Sequence, residues 1–167
     1  IIGILATIAI PNFQRFQAKA KQSNAKVELA GIYTSEKAFY TEYQTYHGNL
    51  YGIGFIPEGF TVTAGGVISV TAGVDRYYAS SAGDPAAVTW PAALGTQPAG
   101  YPAGYPSSAR VCGVHATAAI LTGAAVAQDT FTAVSDGCPR ASNQTAATSD
   151  RWTITQDKVL TNVQSGI

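Results

Sequence analysis

The run Ile1-Ile-Gly-Ile-Leu-Ala-Thr-Ile-Ala-Ile10 is closed by Pro11, carries no charge before Arg15, and passes unbroken into a helical pattern that reaches about Tyr46. A continuous helix from Ile1 to Tyr46 is about 70 Å long at 1.5 Å per residue, several times the ordinary globular helix. A chain of 167 residues builds one domain plus an appendage, and a core of that size cannot cover such a helix. The uncovered part needs lipid or copies of itself. The apolar run is shorter than the roughly 20 residues that span a bilayer. The chain also contains no Met, so about ten further apolar residues are expected ahead of Ile1.

Charge narrows the class of partner. Ten Lys and Arg balance ten Asp and Glu, which leaves no net field to attract nucleic acid, and no specific nucleic-acid partner is expected. Charged residues make up 12% of the chain, roughly half the globular average of about 25%. So sparse a charge suits a subunit whose surface is covered by neighbours better than a free monomer.

After Pro11, whose missing N–H either kinks a helix or starts a new one, the pattern turns amphipathic. Ala25, Leu29, Ile32, Phe39, Tyr43 and Tyr46 recur at spacings of three and four, interrupted only by Glu36. Of these, Leu29, Ile32, Phe39, Tyr43 and Tyr46 are the residues expected to pack on a sheet. A third of a turn away, Arg15, Lys19 and Lys26 form an arc that Tyr33, Lys37 and Tyr40 continue. That arc reads either as a solvated flank or as a surface for lipid headgroups and neighbouring subunits. Gly48 and Asn49 place the helix stop near His47-Gly-Asn49.

Beyond a loop from Leu50 to Glu58 the period changes to two. Phe60–Thr63, Val67–Thr71 and Arg76–Ala79 read as a meander of hairpins around Gly65-Gly66 and Gly73-Val-Asp75. Strand patterns return at Arg110–Leu121, Asp129–Ser135, Arg151–Gln156 and Val159–Val163. An antiparallel sheet with one polar face and one face on the helix is the simplest arrangement, an α+β fold. Between the two strand groups, residues 84–108 are rich in Pro, Ala and Gly and carry the tandem Ala99-Gly-Tyr-Pro102, Ala103-Gly-Tyr-Pro106. This is either a surface insertion or a partner-binding loop anchored by Tyr101 and Tyr105.

Cys112 and Cys138 are the only cysteines, and in an exported protein such a pair reads as one disulfide. Cys112, His115 and Cys138 also have the spacing of three zinc ligands, but a fourth has no source and a disulfide consumes both thiols. Asp129, Asp136 and Asp150 read as solvated turn residues rather than calcium ligands. No haem-attachment motif, phosphate-binding loop or nucleophile elbow is present. The chain is read as a non-enzyme with no catalytic residue, no metal and no cofactor. Packing accounts for Phe13, Phe16, Tyr33, Phe39, Tyr40, Tyr43 and Tyr46, and Asn143-Gln-Thr145 is a formal glycosylation sequon.

Laid out this way, Ile1-Ile-Gly-Ile-Leu-Ala-Thr-Ile-Ala-Ile-Pro-Asn-Phe13 closely resembles the amino-terminal helix of type IV pilins, in the part that follows their Phe-Thr-Leu-Ile-Glu opening. Gln14-Arg-Phe-Gln-Ala-Lys-Ala-Lys-Gln-Ser23 is similar to the longer pilins of certain Gram-negative bacteria. Asp150-Arg-Trp-Thr-Ile-Thr-Gln156 with Leu160-Thr-Asn162 resembles their last strands.

The resemblance implies a type IV pilin fold, with a long amino-terminal α-helix on an antiparallel β-sheet head that carries a carboxyl-side disulfide between Cys112 and Cys138. Residues 1–24 would be the protruding hydrophobic half of the helix. Residues 25–167 would be the head, with the helix to about 47, an αβ-loop, the sheet, the insertion at 84–108 and the disulfide region at 112–138. Ile1, Ile2, Gly3, Ile4, Leu5, Ala6, Ile8, Ile10, Pro11 and Phe13 would form the segment that serves as membrane anchor and then as filament core. The implied life history is an inner-membrane precursor cut by a prepilin peptidase and polymerised by an assembly machine into a helical filament of identical subunits at the cell surface. In the filament, the stretch from Gly3 to Pro11 is expected to lose helical hydrogen bonds. No residue of this sequence matches the family's methylated Phe or its assembly glutamate. A pseudopilin of a type II secretion system and a minor tip pilin acting as an adhesin are the rival readings.

Overall fold

The computed structural model describes residues 2–57, 60–62, 68–70, 77–97, 104–105, 121–140 and 148–167. Its dominant element is one helix, α1 (Ile2–Tyr43), of 42 residues with Pro11 inside it, about 63 Å long at the standard rise. Pro11 has no N–H to give the carbonyl one turn back, yet the helix runs through it.

The helix ends at Tyr43, short of the expected stop at His47-Gly-Asn49. Gln44 takes the left-handed conformation there, with φ 54°, and its side-chain amide reaches back to the Tyr40 and Thr41 carbonyls. Tertiary burial explains the early stop. Thr45 to Leu50 are all buried, and leaving the helix axis lets the Tyr46 ring stack on Tyr40 at 4.5 Å and meet Phe131 at 4.9 Å. A helix continued to His47 would carry those side chains past the end of the core.

Strands β1 (Phe60–Val62) and β2 (Ile68–Val70) form a separate antiparallel pair. The others make the main sheet: β3 (Tyr78–Ser81), β4 (Gly104–Tyr105), β5 (Ala125–Val126), β6 (Phe131–Gly137), β7 (Asp150–Thr155) and β8 (Leu160–Gln164). Their order is β4-β3-β6-β7-β8, with β5 beside β6 along the edge that β3 also uses, and every pair is antiparallel.

The meander reading therefore fails at its third strand. β3 pairs with β6, Tyr78 opposite Gly137 and Ser81 opposite Val134, and not with β2. All four β3 residues are buried, so both of its edges need backbone partners, and β4 and β6 supply them. Gly137 permits the register, because a Cβ there would run into the Tyr77 carbonyl oxygen.

The expected polar outer face is also corrected. Phe131, Ala133 and Ile154 join Leu29, Ile32, Phe39 and Tyr46 in the core beneath α1. Val134, which alternation places on the opposite face of β6, forms a second cluster with Ala79 and Leu121. The central strands are thus buried on both sides.

Residues 84–97 are only partly the surface insertion expected. The Asp84 carboxylate accepts the Ala86 N–H at 2.9 Å to start a turn, but Val88 and Trp90 return to pack on the core. A short 3₁₀ turn follows at Ala92–Leu94. Tyr105 extends the sheet as part of β4, paired with Ser80, while Tyr101 lies outside the described residues.

Candidate functional site

The two halves of α1 have opposite environments. Along the second half, Ala25, Leu29 and Ile32 are fully buried and Phe39 nearly so, whereas Tyr43 keeps partial exposure. Tyr46, read as the end of the stripe, reaches the same core from beyond the helix. Each large apolar side chain so covered contributes roughly 1.5–3 kcal/mol.

Along the first half, Ile10, Phe13 and Phe16 are 57%, 63% and 68% exposed, and Gly3 and Pro11 are exposed as well. Side chains of this size in a row on one helix mark an interaction surface. Ile1 and the side chains of Ile2, Ile4, Leu5, Ala6 and Ile8 lie outside the described residues. No helix among the described residues is long and apolar enough to cross a membrane.

Polar links secure the helix to the sheet where the halves meet. The Asp150 carboxylate, fully buried at the start of β7, accepts from Gln22 of α1 and from Tyr78 Oη at 2.7 Å. It also accepts from Trp152 Nε1 at 2.8 Å, Asn162 Nδ2 and the Gly166 N–H. A carboxylate out of water needs such donors to remain tolerable. Burial raises the Tyr78 phenol far above its ordinary range, and the Asp150 carboxylate beside it adds to the shift. Nearly two turns further along α1, Glu28 is bonded by Ser80 Oγ at 2.5 Å, and Ser80 Oγ also meets Ser135 Oγ at 3.2 Å.

The basic flank of α1 is divided. Lys21 and Lys26 lie over the rings of Tyr77 and Trp152, at 4.1 and 4.3 Å from their centroids. Lys37 donates to Tyr46 Oη at 2.7 Å, a bond that raises its pKa. Arg15 and Lys19 point to the exterior.

Glu36, the one interruption in the apolar stripe, is fully buried. Its Oε2 accepts the His47 backbone N–H at 3.2 Å, and burial pushes its pKa up to about 8 against that bond. Burial conversely lowers the pKa of His47. His47 Nδ1 accepts the Asn49 N–H at 3.0 Å, so its ring proton resides on Nε2, and the imidazole meets the Trp90 ring edge-on with centroids 4.9 Å apart. Glu36 Oε1, His47 Nε2 and Trp90 Nε1 find no hydrogen-bond partner among the described residues.

Two of the three aspartates read as solvated turn residues are corrected. Asp136 is fully buried within β6, bonded by Arg151 Nε at 2.9 Å and Nη2 at 2.6 Å from the directly opposite position of β7. Asp150 is the buried acceptor just described, and Asp129 is exposed. Alternation along β6 and β7 could have flagged Asp136 and Arg151 as a cross-strand pair. Nothing in the sequence foretells that Gln22, Tyr78 and Asn162 converge on Asp150. Among the described residues no group of three His, Cys, Asp or Glu could hold a metal ion. Cys138 is buried and disulfide-bonded. The other cysteine, Cys112, lies outside the described residues, as do His115, the 110–120 strand pattern and the Asn143 sequon.

No family model matches the chain. A curated relative does, the type IV major pilin protein PilA of Myxococcus xanthus (strain DK1622), which is 51% identical over 69 residues. The match covers 38% of this chain and 31% of the relative, so the chain spans about a third of the length of the curated relative it matches.

Proposed function

We propose that the chain is a type IV pilin, a repeating subunit of an extracellular pilus filament that acts by polymerisation rather than catalysis, a reading supported by its similarity to the major pilin of Myxococcus xanthus. The observation that carries this is the contrast along α1. One stripe of the second half, with Ala25, Leu29, Ile32 and Phe39, is buried by the sheet, while Ile10, Phe13 and Phe16 project from the first half with more than half their surface uncovered.

Residues 1–24 form the protruding half and residues 25–167 the head, with Ala18 and Gln22 already seated on it. Before assembly the apolar segment lies in the inner membrane, where a prepilin peptidase and the assembly machinery act on it. In the filament the same segments bundle as a core, and the sheets tile the outside. The exchange of lipid for neighbouring helices is nearly neutral in hydrophobic terms, since both cover the same apolar area.

The test is electron microscopy of filaments sheared from cells that produce F13Q/F16Q. Filaments are expected to vanish while the isolated chain unfolds within about 0.5 kcal/mol of the parent, as surface substitutions do. Normal filaments from the double variant would sink the reading. Abundance of the parent chain in sheared filaments distinguishes a major subunit from a tip adhesin.

A further inference from the structure

Residues 84–97 lie across the end of α1 as a strap. Gly83 just before it and Gly95 near its end hold φ at 114° and 73°, positions able to absorb a hinge motion. Among the described residues its backbone-to-backbone hydrogen bonds stay within the segment, from Ala87 to Asp84, Leu94 to Pro91 and Gly95 to Ala92. Side chains fasten it instead. Val88 and Trp90 pack on the core, and the Trp90 ring lies so close to Gly52 that a Cβ there would meet it at 2.6 Å. Ala86, Ala87, Thr89 and the run from Ala92 to Thr96 are exposed. A segment with so few buried side chains and no backbone ties to its surroundings opens well before the whole domain does.

Beneath the strap is a carboxyl group poorly equipped to carry charge. Glu36 is fully buried; one oxygen accepts the His47 N–H at 3.2 Å and the other has no partner among the described residues. The strap covers His47 in turn. Trp90 meets its imidazole with centroids 4.9 Å apart, and the Val88 carbonyl beside it offsets part of the fall that burial imposes on its pKa. Phe39, about one turn along from Glu36, carries Trp90 at 5.8 Å.

Among the described residues no cation faces Glu36. On α1, Lys37 is turned to Tyr46 Oη. Residues 45–50 bring His47 and the Tyr46 phenol, the strap brings Val88 and Trp90, and the sheet brings Phe131, Ala133 and Ile154. An ionised carboxylate in that position has lost its water and kept one hydrogen bond, a cost that only protonation or rehydration removes.

We propose that residues 84–97 are a pH-gated strap, closed over the protonated Glu36 carboxyl and released when that carboxyl ionises. Release lets water in past Trp90 and His47. The closed form keeps the Glu36 proton up to about pH 8, whereas the open form, with the carboxyl in water, loses it near 4.5. Opening therefore grows with rising pH between those values and levels off above 8. His47 favours opening in the other direction, as pH falls below 6.5, which leaves the interval from 6.5 to 8 to Glu36. The device is a property of the head and does not depend on filament assembly.

The experiment follows chymotrypsin cleavage of the full chain at Trp90 and Leu94 by mass spectrometry, from pH 6.5 to about pH 9. Each rate is divided by that of a free peptide of residues 84–97, which removes the protease's own pH profile. The parent ratio should rise about tenfold from pH 6.5 to 8 and then level off, as release of a single proton dictates, and in E36Q it should stay flat. G52A, which pushes on the Trp90 ring and leaves Glu36 in place, should raise cleavage already at pH 6.5. By reciprocity it should also move the Glu36 titration, followed by carboxyl carbon NMR, down toward the ordinary range. A flat ratio in the parent, or a rise that E36Q shares, would overturn the proposal. Cleavage within β6 or β7 that rises in step would mark global unfolding and overturn it too. Should E36Q fail to fold, G52A decides, since Glu36 titrating there at the parent's pH would show that strap and carboxyl are uncoupled.

Discussion

Tyr78 Oη donates to Asp150 Oδ2 at 2.7 Å, joining β3 to β7 across 72 residues of chain. Neither strand pairs with the other, since β6 lies between them. The bond is part of a cluster that also ties α1 and β8 to the same carboxylate through Gln22 and Asn162. Asp150 thus fastens the foot of the head to the helix that leaves it.

Removing that acceptor strands several buried donors at once. D150A is expected to lower unfolding free energy by about 3 kcal/mol or more, and Y78F by about 1.5–3 kcal/mol, as for bonds to charged groups. Urea denaturation of the two variants and their double mutant checks this. Strict additivity in the double would contradict a shared network.

Glu36 gives stability a pH dependence whose sign is opposite to that of a salt-bridged carboxylate. Its folded pKa is raised from 4.5 to about 8, so the folded state keeps a proton that the unfolded chain releases. The stability is fully present below about pH 4.5 and is lost as pH rises toward 8. His47 acts in the other direction, because its lowered pKa costs stability as pH falls below 6.5, which leaves the window from 6.5 to 8 to Glu36. Denaturation midpoints should fall with rising pH across that window in the parent, and E36Q should flatten the slope. An unchanged slope in E36Q would assign it elsewhere.

Gly137 faces Tyr78 across the β3–β6 ladder, and an added Cβ would meet the Tyr77 carbonyl and the Tyr78 ring. G137A is expected to cost about 1–3 kcal/mol through overpacking. Retention of full thermal stability would show that the strands can separate slightly at that point.

Trp90 carries residues 84–97 onto the core by packing against Phe39 at 5.8 Å and His47 at 4.9 Å. W90A is expected to cost about 2–3 kcal/mol, below the value for a fully buried Trp because part of the ring is exposed. Limited proteolysis should then cut between residues 84 and 97 faster than in the parent. An unchanged cleavage rate would mean that the segment is held by other contacts.

Several parts of this fold were legible in residue order because they rest on local periodicity. The apolar stripe from Ala25 to Phe39 repeats at helical spacing, and the last two strands alternate or carry β-branched residues at regular intervals, so each signals its own form. The same pattern showed that no lone domain could cover the helix from its first residues onward. Pairing partners were not legible, because β-propensity states that a strand exists and not which strand lies beside it. The meander reading of β3 failed for that reason, and the acids at positions 136 and 150 looked like turn residues because most of their donors come from distant positions, Gln22, Tyr78 and Asn162 for Asp150 and Arg151 for Asp136.

The sequence by itself determined an amphipathic helix too long for its head and an α+β architecture, and it marked an apolar segment that a head of this size leaves uncovered. Tertiary structure alone decided where the helix stops, which strand fills the gap between β4 and β6, and which polar groups are buried. Each of these depends on groups brought together from distant positions. Tyr46 leaves the helix to reach Phe131, Asp150 survives burial because α1, β3 and β8 supply its donors, and His47 comes under Trp90 only when residues 84–97 fold back across the end of α1.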